Sequence, residues 1–332
     1  MRKLLLILGI FLLPSVALAH EVYVLSTDEI HNAMYAQPFD MLQVALQNLH
    51  QVIFWAFIGF VLVSTVFCIS IFRIFEKWLE PFFARGKRYA PLICRVTVGL
   101  GLLAGAYYEA SFGPELPYAA MFGAFTPLIT VITAAIALSM LSGIWMRQAA
   151  LVALALFAFA IWRNGVYMLT YTNYLGEFLV LALIAKHASG ARTTWARYEP
   201  AIVRVAFGIS LLYSAIYAKI IHNNLALMIA DMPLAGHAHG VAYYFGFEPH
   251  FMVLGAAIIE IVIAIFFIVG FEIRWTCIFL EFWLALSLWW FGESVWPHLV
   301  LIGIPVALFF WGYDKYSLEG RFFKRGNLEP VL

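Results

Sequence analysis

The sequence predicts an all-α polytopic membrane protein. Nine transmembrane helices follow a cleaved signal peptide, and eight of them form two parallel four-helix repeats. Three observations predict this. The 332 residues are 64% apolar and 12% charged, whereas an ordinary soluble domain carries about 25% charged residues to cover itself. Apolar runs of about 20 residues recur, the length that crosses a hydrocarbon layer about 30 Å thick. Lys and Arg gather in alternate connections between those runs. The net charge of +1 carries no argument for nucleic acid as a partner; lipid is the solvent the composition demands.

Residues 1–19 have the form of a secretory signal. Arg2 and Lys3 open it, Leu4 to Leu13 make its apolar core, and Ala17-Leu-Ala19 is a small-residue cleavage site. Cleavage leaves His20 at the mature N-terminus. Residues 20–50 hold no Lys or Arg and read as extracytoplasmic. The nine spans are predicted at 52–71, 92–109, 127–146, 149–168, 174–187, 201–221, 250–271, 275–291 and 295–312. With the N-terminus outside, every Lys and Arg after the signal falls in or beside a cytoplasmic connection, except Arg163 and Lys219. That is the positive-inside pattern, and it places the chain in the inner membrane with a cytoplasmic C-terminus. The basic connection 72–91 reads as an interfacial helix whose cations snorkel to the inner headgroups.

An internal repeat organises the rest. Arg95-Val-Thr-Val-Gly99 matches Arg204-Val-Ala-Phe-Gly208, Tyr108 matches Tyr217, and Gly143 with Arg147 matches Gly270 with Arg274. The chain therefore divides into an N-terminal segment with the first helix and basic connection (20–90), a first repeat (91–187), a second repeat (201–312) and a tail (313–332). Four spans return the chain to its starting side, so the two copies run parallel.

Charge inside the membrane is costly and usually marks a partner and a role. At about 1.5 Å per residue, Lys219 stands roughly 22 Å above Arg204, and Glu260 roughly 21 Å above Arg274. Glu109 and Arg163 reach similar heights in the first copy, and Glu177 and Glu281 are further acids. Matched height allows pairing. In register, the first copy has Ala110 opposite Lys219 and Thr133 opposite Glu260. The pairs either specify helix packing or line a polar pocket open to the outer side. In the second case the candidate pocket residues are Lys219, Glu260 and His298, with Arg204 and Arg274 below them. Glu109 and Arg163 form a second polar group, and Glu177 is a further charged candidate of the first copy.

Eight of the nine histidines fall on or near the outer side. His237-Ala-His239 occupies a long Gly-rich loop, and His20 could add an amine–imidazole chelate, so copper or zinc is a candidate ligand. His222 and His298 are weaker candidates as axial haem ligands. Cys68, Cys94 and Cys277 form no CxxC or haem-attachment run and read as buried apolar groups. The clusters Tyr107-Tyr108, Tyr243-Tyr244 and Trp289-Trp290 suit an interfacial aromatic belt, with room for a quinone ring among them.

At Arg204-x3-Gly208, Lys219, Glu260 and Gly270-x3-Arg274, the second copy resembles the DoxX-like family of four-helix membrane proteins. The first copy resembles it as a diverged relative. The resemblance implies a quinone-linked or complex-anchoring subunit of a redox system. It carries Arg204, Lys219, Glu260 and Arg274 as the residues to test, with electrons exchanged through a periplasmic partner protein. The chain lacks the paired cysteines that disulfide-handling relatives need. Two other expectations stand beside this one: binding or transport of an outer-side metal ion or small polar solute, and a structural anchor whose charges only specify packing.

Overall fold

The structure, a computed structural model, describes residues 25, 27–184, 194–233, 237–291 and 295–323. The signal segment, His20 and His187 lie outside the described residues, as does most of the tail. Among the described residues there is no β-strand, only an isolated bridge between Ala110 and Pro117.

Helices α1 (Thr27–Tyr35) and α2 (Met41–Asn48) precede α3 (Val52–Lys87). Next come α4 (Ala90–Tyr107), the short α5 (Tyr118–Phe122), α6 (Thr126–Ser142), α7 (Met146–Asn164) and α8 (Thr172–Ile184). Helix α9 (Glu199–Ile216) runs on into a π-helical turn, Tyr217–Ile221. Helices α10 (Asn223–Asp231) and α11 (Val241–Phe245) lead to α12 (Pro249–Val269), α13 (Ile273–Phe291) and α14 (Leu299–Trp311).

Six helical segments among the described residues are long and apolar enough to cross a membrane, which is compatible with a multi-pass membrane protein. Among the described residues each of the nine predicted stretches is mostly helical, but they do not all meet that measure separately. Met146–Ile184 counts as one segment and contains both α7 and α8, joined by the 3-10 stretch Gly165–Tyr171. Helix α13 carries Arg274 and Glu281, and α14 is shorter.

One boundary departs from expectation. The basic connection was expected to lie apart as an interfacial helix, yet α3 continues through 36 residues, about 54 Å at 1.5 Å per residue. Ion pairs hold its inner half to the bundle. Arg73 donates to Glu272 at 2.9 and 2.5 Å, and Glu76 accepts from Arg274 at 2.6 Å. These partners come from α13 and the turn before it, some two hundred residues away, so the local sequence could not announce them.

Eight helices close into a ring. In order α4, α6, α7, α8, α9, α12, α13 and α14, each packs on the next, and α14 returns to α4. Helices α4, α8, α9 and α14 also meet across the ring, where Cys94, Val98, Phe178, Val203, Phe207 and Val300 are buried. Helix α3 lies outside against α13 and α14; α1 packs on α10, and α2 on α12.

The close approaches in this ring occur in pairs. Gly99 meets Ala137 and Leu141, and Gly208 meets Ala264 and Ile268. Gly176 meets Ala206, and Gly303 meets Thr97. Helices α6 and α12 end alike, at Gly143 and Gly270, with φ of 80° and 71°. A Cβ is disfavoured in that left-handed conformation. The guanidinium of Arg95 rests against Gly143, as that of Arg204 does against Gly270. Small residues let helix backbones come close where lipid supplies no hydrophobic drive for association.

Candidate functional site

Helix α9 loses its regular hydrogen bonding just where Lys219 stands. The π turn Tyr217–Ile221 fits an extra residue into the helical ladder, a distortion frequent at functional positions. It carries Lys219 toward α12, where its Nζ lies 2.9 Å from Glu260 Oε2. The lysine side chain is 6% exposed and the glutamate 27%. The ammonium is therefore held deep while the carboxylate shows part of its surface.

That surface borders a partly open cavity of about 170 Å³. A water needs roughly 10–15 Å³ measured in this way, so the space exceeds a single water. Its walls are mostly apolar. Leu211 and Ile263 line it from α9 and α12, Trp283 and Ser287 from α13, and Val241 from α11. The arrangement is one neutralised charge pair on an otherwise apolar wall. Such a pair repays its desolvation only with good geometry, and it can orient a molecule that is mostly apolar with a polar edge.

The other candidates do not reach this cavity. Arg204 is buried at the opposite end of α9, 2.9 Å from Asp314. It donates to the carbonyls of Phe267 and Ile268 at 2.5 and 2.7 Å, oxygens that the last turn of α12 cannot satisfy itself. Arg274 donates to Glu76 and to the Phe309 carbonyl, and lies 4.0 Å over the Phe83 ring. Both arginines tie helix ends together. His298 is fully buried at the start of α14 and is not among the cavity residues. Glu177 is buried on α8 and is not among the cavity residues either.

The expected second polar group of Glu109 and Arg163 is not assembled. Glu109 is exposed at the end of α4 with φ 52°, and Arg163 donates to the Ala120 carbonyl at 3.3 Å. The polar cluster of that half is instead Glu115 with Tyr167, 2.9 Å away, and Tyr171. Glu115 was overlooked because it lies in a loop, outside every predicted span. Its only sequence signal is an acid directly after Pro114 in a connection bare of Lys and Arg.

His237 stacks on Trp290 with centroids 4.4 Å apart, and His239 packs on Tyr243 at 3.9 Å. Among the described residues no three His, Cys, Asp or Glu side chains converge as metal ligands. Outside the helices, Glu248 caps α12 by accepting from the amides of His250 and Phe251. Burial raises its carboxyl, but hydrogen bonds from His250 and Phe251 outweigh that and hold it below the usual 4.5.

The fold and cavity define a class: a helical protein compatible with multiple membrane crossings, with an ion-paired pocket among the described residues. Compared with known proteins, the chain matches no family model, and no curated protein or solved structure is similar to it at a significant level.

Proposed function

We propose that this chain is a duplicated, DoxX-like protein of the inner membrane. It acts as a quinone-linked or complex-anchoring subunit whose cavity between α9, α12 and α13 receives the headgroup. The observation that carries this reading is the Lys219–Glu260 pair at 2.9 Å on the wall of an apolar cavity. A ring with polar oxygens and an apolar tail suits such a wall. Lys219, a triple donor, supplies hydrogen bonds to a ring oxygen, and Glu260 holds the ammonium in place. Electrons pass to or from a partner protein on the outer side, because no described residue set here stores them.

The distribution of Lys and Arg supports nine crossings with the N-terminus outside and the C-terminus in the cytoplasm. The paired glycine contacts support the duplication, since Gly99 with Gly208 and Gly143 with Gly270 keep equivalent neighbours in the register of the two copies.

The test is direct binding. Purified chain in lipid nanodiscs is titrated with a fluorescent short-tailed quinone, and Lys219→Ala is expected to weaken binding at least tenfold, one hydrogen bond from a charged donor. Equal affinity in the two proteins removes the proposed role.

A further inference from the structure

The ring contains a second, smaller cavity of about 20 Å³, and it is the counterpart of the first. In the register set by Arg95 and Arg204, Leu102 corresponds to Leu211 and Ala110 to Lys219. In the register set by Gly143 and Gly270, Thr133 corresponds to Glu260 and Leu156 to Trp283. The first member of every pair lines the small cavity, and the second lines the large one. The two spaces are the same place in two copies of one unit, and they differ in what fills them.

What fills the small one is a phenol. Each copy reaches its second long helix through a five-residue helix, α5 (Tyr118–Phe122) and α11 (Val241–Phe245), each ended by a glycine of positive φ, Gly123 at 55° and Gly246 at 67°. The first residue of each short helix faces its cavity: Tyr118 in one, Val241 in the other. Tyr118 is 1% exposed, and it lines the small cavity together with Thr133, the counterpart of Glu260. In the second copy the ring is missing, the residue is a valine, and a carboxylate stands where the threonine was.

Building on the quinone-type reading of the pocket, we infer that the large cavity takes a hydroxyl-bearing aromatic ring, a phenol or the reduced form of a quinone, whose hydroxyl donates to Glu260. The first copy carries that ring as its own side chain; the second leaves the place vacant for a ligand. The exposures agree with the direction of the bond. Glu260 shows 27% of its side chain and Lys219 only 6%, so the group most available to a ligand is an acceptor, and a ligand that can also donate gains a bond there. An ether or an oxidised ring cannot donate.

The experiment uses the full chain in nanodiscs with three probes: 4-hexylphenol, its methyl ether 4-hexylanisole, and a decyl-benzoquinone. The phenol is expected to bind at least tenfold more tightly than the ether, the effect of one hydrogen bond to a charged acceptor. Glu260→Gln is expected to shrink that preference. Val241→Tyr supplies an in-chain ring and is expected to abolish binding of all three, while Val241→Ala keeps the space and retains binding. A monodisperse Val241→Tyr protein with unchanged melting keeps the result from being a folding failure.

If phenol and ether bind equally while Val241→Tyr still blocks the quinone, the pocket reading stands and the inference about the hydroxyl falls. If Val241→Tyr binds every probe as the wild type does, both fall. Absence of binding by phenol and quinone alike also overturns both.

Discussion

Breaking the Lys219–Glu260 pair tests whether the two charges depend on each other inside the protein. Lys219→Met preserves most of the side-chain length without the charge, and Glu260→Gln preserves shape without it. Removing one partner of a fully buried pair costs about 3–5 kcal/mol, because the remaining charge is left uncompensated. Here the ammonium is 6% exposed and the carboxylate 27%, beside a partly open cavity, so the cost falls at or somewhat below the lower end of that range. Each single substitution is expected to cost about 2–3 kcal/mol. Glu260→Gln should cost the more of the two, since it leaves the deeper charge behind. The double variant removes both charges and should cost about 1–2 kcal/mol less than the sum of the singles, within the range for contacting residues. The assay is reversible unfolding in mixed micelles, run as a double-mutant cycle. A double variant whose cost equals that sum would refute direct coupling across the 2.9 Å contact. Quinone titration of the folded double variant then separates roles: lost binding marks a ligand site, and normal binding marks a packing device.

Other consequences follow from residues elsewhere in the ring. Gly270→Ala should destabilise by more than about 1 kcal/mol, because the position has φ 71° and a Cβ would meet Ser317 and Arg204; a melting temperature equal to wild type contradicts this. Asp314→Asn leaves Arg204 buried with its carbonyl partners alone and should cost about 2–4 kcal/mol in the same micelle assay, without altering quinone affinity. Glu248→Ala removes the cap of α12 and should cost about 1 kcal/mol. The Glu248 carboxyl is held below 4.5 in the folded chain. Its contribution is therefore present above the unfolded carboxylate value and is lost as pH falls through the lower folded one. Wild type and Glu248→Ala should converge in stability on acidification, and a gap that persists at pH 2 speaks against the cap. For topology, Asp231→Cys in a cysteine-free background should react with a membrane-impermeant maleimide added outside, and Lys315→Cys should not; reversed labelling inverts the assignment.

Much of the architecture could be read from residue order. Apolar run length and the placing of Lys and Arg marked the helices, and the helices begin and end within a few residues of their predicted limits except at α3 and α14. Matching Arg95 with Arg204 and Gly143 with Gly270 was visible as a pattern in the letters. So was the shared height of Lys219 and Glu260, because a helix rises by a constant amount per residue.

Height along an axis says nothing about which way a side chain turns or which helix stands beside it. Arg204 and Arg274 looked like pocket residues only while Asp314 and Glu76, their partners from distant segments, were unknown. Glu109 and Arg163 shared a level yet found no common site, and Glu115 met Tyr167 and Tyr171 from a loop that periodicity cannot address. The correspondence of Tyr118 with Val241 needed the closed ring, since only packing brings two five-residue helices to equivalent cavities. The sequence alone located the apolar helical stretches and the charges they carry. Tertiary structure decided which charges meet, because pairing depends on rotation about each axis and on neighbours far away in the chain.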